Sequence, residues 1–156
     1  MQEYVVVDLE TTGLDPYSGC EIIEIGITEI KNDQIVRNYS RLIKPQESIP
    51  PLITEITGIT NEMVRNEETI ETVLPRFRKF LNYYLRKYDL PIIENHICTL
   101  EMLKKCKSYK GKNKKLETAC NYYNIVNENA HRADSDTKAT AQLFLIIKDE
   151  VFPGLL

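Results

Sequence analysis

The sequence predicts a mixed α/β domain that opens with an antiparallel hairpin and is flanked by helices. Three observations predict it. Tyr4-Val5-Val6-Val7 is an unbroken apolar run ahead of an acid, as in a strand buried on both faces. Ile23, Ile25 and Ile27 alternate with Glu24, Gly26 and Thr28, and the Asn32-Asp33 turn leads into a second extended stretch. From Thr69 onward the apolar spacing changes from two residues to three and four, the period of a helix. At 156 residues the chain can bury its own core, so a single domain over residues 1–156 is expected.

The elements follow in order. The first strand spans residues 3–9 and is expected in the middle of a sheet. Gly13, Asp15-Pro16 and Gly19 mark a loop. Strands over 21–30 and 34–43 form the hairpin, and Ile49-Pro50-Pro51 ends it. Pro51 suits the first position of a short helix over 51–56, which Gly58 stops, and Asn61 is expected to cap a further turn. Ile70, Val73, Leu74, Phe77, Phe80, Leu81, Tyr84 and Leu85 share one face of an amphipathic helix over 70–88, with Pro75 tolerated near its start. Residues 91–97 read as a short strand, and helices follow near 99–107, 114–123 and 134–149. Tyr122-Tyr123 reads as helix core plus surface rather than a base-stacking platform, and His96 as structural or exposed.

The bulk numbers exclude several classes. A balance of 42% hydrophobic and 28% charged residues excludes a disordered chain. A net charge of −3 excludes a general polycation, so attraction to nucleic acid has to come from a local patch or from metal ions on the acids. Cys20, Cys98, Cys106 and Cys120 form no CxxC pair and have no His at zinc spacing, so they are expected as reduced, partly buried thiols of a cytoplasmic protein. No run is long enough to span a bilayer and no signal-peptide pattern opens the chain, so no membrane partner is expected.

The chemistry concentrates in two places. Asp8 and Glu10 are two residues apart on a strand and leave the same face, where two carboxylates repel unless a cation lies between them. At the end of a buried strand that cation is most economically a divalent metal. The second place is His131-Arg132-Ala133-Asp134-Ser135-Asp136, which opens the last helix. The helix dipole favours Asp136 in the first turn, and a carboxylate there can be aimed at a metal. His131, on the preceding loop, is placed to take a proton from water at such a site. Each feature alone has a plainer reading, a solvated strand end or a loop residue and a cap; together, in this order, they point to one site.

Asp8-Leu9-Glu10-Thr11-Thr12-Gly13, Ile22-Ile23-Glu24-Ile25-Gly26, Ile56-Thr57-Gly58-Ile59-Thr60 and His131-Arg132-Ala133 with Asp136 run over most of the chain. In these motifs the sequence resembles the DEDDh, or DnaQ-like, exonucleases. Phe144 after Ala139-Thr140-Ala141 is most similar to the exonuclease domain of PolC-type bacterial DNA polymerase III. The resemblance implies an RNase H-like fold and a 3′–5′ exodeoxyribonuclease, of proofreading or repair type, using two Mg²⁺ or Mn²⁺ ions. It implies that Asp8 bridges the ions, that Glu10 and Asp136 complete one of them, and that His131 is the general base. The Thr11-Thr12 backbone and Leu14 resemble the family's pocket for the terminal sugar and base. The implied partners are DNA with a single-stranded or frayed 3′ end, and a DNA polymerase.

The sequence departs from the family at one point. The family supplies four acids, and three are found here. The first half of the 70–88 helix resembles the helix before the missing acid and the second half the helix after it, so about twenty residues are absent at a joint near Phe80-Leu81, in a region where connections run short. Asp89, Glu94 and Glu101 are the nearest acids, and each falls in sequence matching downstream parts of the family. Cys98 stands where relatives carry an Asp outside the metal centre. Either this is a shortened relative, weakened or inactive, or the native product has a segment that this chain lacks. A fused helix also allows a swapped homodimer. The alternative to an active nuclease is a catalytically impaired nucleic-acid-binding or polymerase-associated module; an RNA-trimming enzyme is a third reading, because the choice rests on contacts to the 2′-hydroxyl. Finally, Lys104, Lys105, Lys107, Lys110, Lys112, Lys114 and Lys115 read either as a solvated helix end and loop or as a phosphate-contacting patch.

Overall fold

A computed structural model describes residues 3–73 and 97–153. Strands β1 (Glu3–Thr11), β2 (Ile22–Lys31) and β3 (Gln34–Leu42) form an antiparallel sheet in the order β1-β2-β3. Asn32 and Asp33, at φ 47° and 62°, make the β2–β3 turn, and two left-handed residues in succession give it a twist that matches the strands. β2 is buried from Ile23 to Ile30. Its odd-numbered isoleucines face two apolar clusters, one with Ile49, Ile59 and Val64 and the other with Ile43 and Val73.

The other face of β2 carries Glu24, Gly26, Thr28 and Ile30, and it is buried too, because the last helix lies across it. The alternation in the sequence therefore marks two covered faces, one apolar and one partly polar. β1 departs from expectation in the opposite sense. Among the described residues it lies at the sheet edge, with Val7 and Leu9 41% and 44% exposed. Tyr4 and Val6 pack beneath the last helix and Val5 into the opposite cluster, but no described element covers that opposite face beyond Val5.

The short helices α1 (Pro51–Thr57) and α2 (Asn61–Val64) follow β3. Pro51 begins α1 and Gly58, at φ 72°, ends it. The cap of α2 is Thr60 and not Asn61: Thr60 is extended and its Oγ1 accepts from Met63 N at 3.2 Å, while Asn61 is already helical. Asn61 instead accepts from Ile49 N at 2.8 Å, tying α2 back to the segment after β3. Residues 70–73 are helical; the rest of the expected 70–88 helix, the joint near Phe80-Leu81, and residues 91–96 of the expected strand, with His96, lie outside the described residues.

Helices α3 (Thr99–Lys105), α4 (Leu116–Tyr123) and α5 (Ala133–Val151) complete the domain. Leu143, Phe144 and Ile147 of α5 pack with Ile30, Met102, Leu103 and Ala119, and Tyr4 meets Phe144 edge-on with ring centroids 4.7 Å apart. Burying Leu143 and Ile147, each 1% exposed, contributes about 1.5–3 kcal/mol apiece. The four cysteines are free thiols, two buried, one half-buried and one exposed. Among the described residues no helix is long and apolar enough to cross a membrane.

Candidate metal centre

Asp8 and Glu10 stand on the β1 face that looks toward α5, opposite Gly26 and Glu24 of β2 in the strand register. The register shifts between Glu10 and Thr11, which ends the regular ladder just after the two acids. The following loop is pinned at its base. Thr12 N donates to Glu21 O at 2.8 Å and Glu21 N donates to Thr12 Oγ1 at 2.8 Å. Thr11 Oγ1 donates to Gly13 O at 2.6 Å, so both threonine hydroxyls serve the loop itself. Asp15 accepts from Tyr17 N and Ser18 Oγ, and Leu14 is left fully exposed.

The third carboxylate arrives on α5, and its placement depends on how the start of α5 is seated. Gly26 has no side chain where α5 crosses β2; a Cβ there would lie 2.1 Å from Ala133 O. Glu24, beside it, has a fully buried side chain that accepts from Arg132 Nε at 3.0 Å, Arg132 Nη2 at 2.7 Å, Ala133 N at 3.0 Å and Ser40 Oγ at 2.7 Å. One turn further on, Thr28 Oγ1 donates to Thr137 Oγ1 at 3.0 Å, and Asn38 Nδ2 reaches Thr28 Oγ1 at 2.7 Å and Asp134 O at 2.8 Å. Polar groups on β2 and β3 thus fix the first turn and a half of α5.

Asp136 then meets the two β1 acids. One carboxylate oxygen from each of Asp8, Glu10 and Asp136 lies within 4.8 Å of the others, the one such group of potential metal ligands among the described residues. Asp136 is held from behind: Asn127 Nδ2 donates to Oδ1 at 2.6 Å and His131 N to Oδ2 at 3.1 Å. Asn127 is fixed in turn by Ser135 Oγ, which donates to its Oδ1 at 2.6 Å. His131 is exposed and adopts a left-handed backbone at φ 66°.

The electrostatics are those of a site short of positive charge. Burial, then the charges of Asp8, Asp136 and Glu24, push the Glu10 carboxyl up to about 8, with Arg132 offsetting part of the rise. Burial and then Asp136 raise Asp8 as well, while His131 acts on it in the opposite sense. Glu24 behaves differently. Burial alone would raise it, but the hydrogen bonds from Arg132, Ser40 and Ala133 outweigh burial and hold it below the usual carboxylate range. Glu24 is therefore committed to Arg132 and lies outside the ligand group. Three carboxylates converging in this way are the donor set of a hard divalent cation, which prefers oxygen ligands.

The structure brings Asp8, Glu10 and Asp136 together and sets His131 beside them. Thr11 ends β1, and Thr12 and Leu14 lie on the loop that follows it. Sequence reasoning missed Glu24, Gly26, Arg132 and Asn127 as parts of the site. The signal for the first three was present, since Glu24-Ile25-Gly26 and His131-Arg132-Ala133 were both recognisable motifs. A glutamate at an alternating polar position reads as solvent-facing until its arginine partner is known. Asn127 sits in an unremarkable loop and carried no signal.

The sequence profile of the exonuclease family matches residues 5–85 and 79–144, two pieces that meet in the stretch where the sequence pattern breaks. The chain is 35% identical over 161 residues to DNA polymerase III PolC-type of Caldanaerobacter subterraneus subsp. tengcongensis, covering 92% of this chain and 11% of that protein. It thus spans about a tenth of the length of that relative. It is 31% identical over 168 residues to DNA polymerase III subunit epsilon of Aquifex aeolicus, covering 96% of this chain and 82% of that one. Among solved structures, Exonuclease X in complex with 5′ overhanging duplex DNA superposes with a TM-score of 0.71 at 24% identity, over 94% of this chain and 91% of that one, which establishes the shared RNase H-like fold. The chain belongs to the exonuclease family that includes these polymerase III domains, a family dependent on divalent metal ions.

Proposed function

We propose that this domain is a 3′–5′ exonuclease that releases nucleotides from DNA 3′ ends, working with a DNA polymerase. The observation that carries the proposal is the convergence of Asp8 and Glu10 from β1 with Asp136 from α5. These three would hold Mg²⁺ or Mn²⁺, two ions as in the family resemblance. When bound, the ions would supply Lewis-acid stabilisation of the phosphate and lower the pKa of the attacking water.

The residues of the chain do the rest. His131 is exposed on the loop that also donates to Asp136, so its imidazole can take the proton of the attacking water. Leu14 projects from the pinned loop after Glu10, where an apolar side chain can pack on the terminal base and the Thr11-Thr12 backbone can face the sugar. Arg132, already paired with Glu24, is a positioning residue for the segment that carries His131. The relatives' names, DNA polymerase III PolC-type and subunit epsilon, support a polymerase as partner.

A second reading, a DNA-binding module with impaired catalysis, is favoured by one observation: three carboxylates gather among the described residues, where the family pattern has four. Digestion of a 5′-labelled single strand with Mg²⁺ or Mn²⁺ decides between them, with Glu10→Ala and Asp136→Ala proteins in parallel. A ladder shortening from the 3′ end and lost in both variants supports the nuclease. DNA binding without digestion supports the module, and neither binding nor digestion refutes both.

A further inference from the structure

The geometry points to a second nucleic-acid contact, on the α3–α4 loop, that holds backbone phosphates of the bound strand away from the carboxylates. This rests on the exonuclease reading above and adds to it the surface that would engage longer substrates.

Residues 104–115 carry seven lysines in a chain whose net charge is −3. Lys104 pairs with Glu101 at 2.6 Å, and Lys114 Nζ stands 4.4 Å from the centroid of the Tyr109 ring. Lys105, Lys107, Lys110, Lys112 and Lys115 are exposed, with no carboxylate in ion-pair range among the described residues. The acids nearest in the fold are largely engaged: Glu150 accepts from Ser108 N at 2.9 Å, from Ser108 Oγ and from Cys106 Sγ at 3.3 Å, and Glu101 holds Lys104, which leaves Glu117 on α4.

A solvated lysine-rich loop needs no internal framework, and this one has an extensive one. Tyr109 is 4% exposed, and its hydroxyl donates to Asn113 O at 2.6 Å across the lysine segment. Its ring stacks on Tyr123 at 5.8 Å and meets Tyr122 edge-on at 5.0 Å. Tyr122 in turn donates to Ser108 O at 3.0 Å, and Lys115 N to Asn113 Oδ1 at 2.9 Å. The lysines therefore stand on a backbone fixed before any ligand arrives, which reduces the ordering cost of binding.

The position also fits. Glu150, which clamps Ser108, and Asp136 lie on the same helix, fourteen residues apart. At the helical rise that is about 21 Å, or about six base steps of a stacked strand. A strand with its 3′ end at the carboxylates is thus long enough to reach the lysines after several nucleotides, whereas a dinucleotide is not.

The test replaces Lys107, Lys110, Lys112 and Lys115 together by glutamine. Binding of a labelled 12-nucleotide single strand is followed by fluorescence anisotropy in Ca²⁺ at a series of salt concentrations. Hydrolysis of a dinucleotide in Mg²⁺ is measured alongside. The expected result is a salt dependence shallower by about 2–3 in log–log slope, at about 0.7 for each phosphate no longer neutralised, with dinucleotide hydrolysis unchanged. The same four positions changed to arginine should keep the native slope. An unchanged slope in the glutamine protein, or an equal loss on the dinucleotide, overturns the proposal. A native protein that neither binds nor cleaves DNA overturns the exonuclease reading, and this surface with it.

Discussion

Arg132→Ala is the substitution whose cost follows most directly from the structure. It leaves the Glu24 carboxylate with two donors, Ala133 N and Ser40 Oγ, where four now converge. The Glu24 side chain is 0% exposed, so the stranded charge has no water to turn to. Removing one partner of a buried pair costs about 3–5 kcal/mol, and because Arg132 is itself 31% exposed the lower end, about 3 kcal/mol, is expected. In a domain of this size that corresponds to a fall in Tm of about 10 °C. The sign with pH is specific. In the native protein the depressed Glu24 carboxyl contributes stability above its ordinary value of 4.5, and the contribution is lost as pH falls through the folded value. In the variant the folded value rises above 4.5, so the penalty is largest at neutral pH and shrinks toward pH 4.5. Urea unfolding at pH 7.5 and at pH 4.5 reads both effects. Adding Glu24→Gln to Arg132→Ala removes the stranded charge, so the double variant should be more stable than the sum of the single effects by at least about 1 kcal/mol. A loss under about 1 kcal/mol, or equal losses at the two pH values, would refute the reasoning.

The acids of the metal centre make the opposite prediction. Glu10 is raised in the fold to about 8, so the metal-free protein should lose stability as pH rises from 4.5 toward 8, by about 1–2 kcal/mol once solvent screening at this half-buried site is allowed for. Urea unfolding in EDTA at pH 6 and pH 8.5 measures it, and Mn²⁺ should restore more stability at the higher pH; a flat profile counts against the site. Gly26→Ala puts a methyl 2.1 Å from Ala133 O and should cost about 2 kcal/mol or more, with weakened Mn²⁺ affinity in calorimetry because Asp136 moves with α5. His131 holds φ 66°, so His131→Gly should be more stable than His131→Ala by about 1 kcal/mol in thermal melts. Both should lose digestion by about 100-fold or more, and Mn²⁺ binding should survive in each.

The parts of this fold that were legible in the sequence are those set by short-range rules. Asn32-Asp33 turns the hairpin because two residues there are left-handed, and Pro51 and Gly58 bracket α1 for equally local reasons. Asp8, Glu10 and Asp136 were legible through spacing and family resemblance, and they do converge. What sequence could not give is the state of residues whose role depends on what covers them. Glu24 and Thr28 occupy polar positions of an alternating strand and are buried only because α5 brings Arg132 and Thr137 to them. Val7 and Leu9 occupy apolar positions and are exposed because β1 lies at the described edge of the sheet. The Asn61 cap failed over a single residue of register, since Thr60 and Asn61 are both good caps and only the backbone shows which is still extended.

The break in the family pattern and the groups of the metal centre lie in different stretches of the sequence. The matched segments meet at residues 79–85, while every group described at the centre comes from elsewhere. Asp8 and Glu10 belong to β1, and β1 is held by β2 along its whole length. Asp136 belongs to α5, whose first turns are seated by Glu24, Gly26, Thr28, Asn38 and Ser40 on the β2–β3 hairpin. Its carboxylate is oriented by Asn127 and the His131 backbone, from the loop just before it. None of these supports draws on residues near the joint. Among the described residues, the hairpin and α5 thus form the cradle that brings the three carboxylates together. Three carboxylates suffice to offer a divalent ion oxygen ligands, whereas the family pattern draws on a fourth acid for turnover, which is why metal binding and digestion have to be measured as two quantities and not inferred from one another.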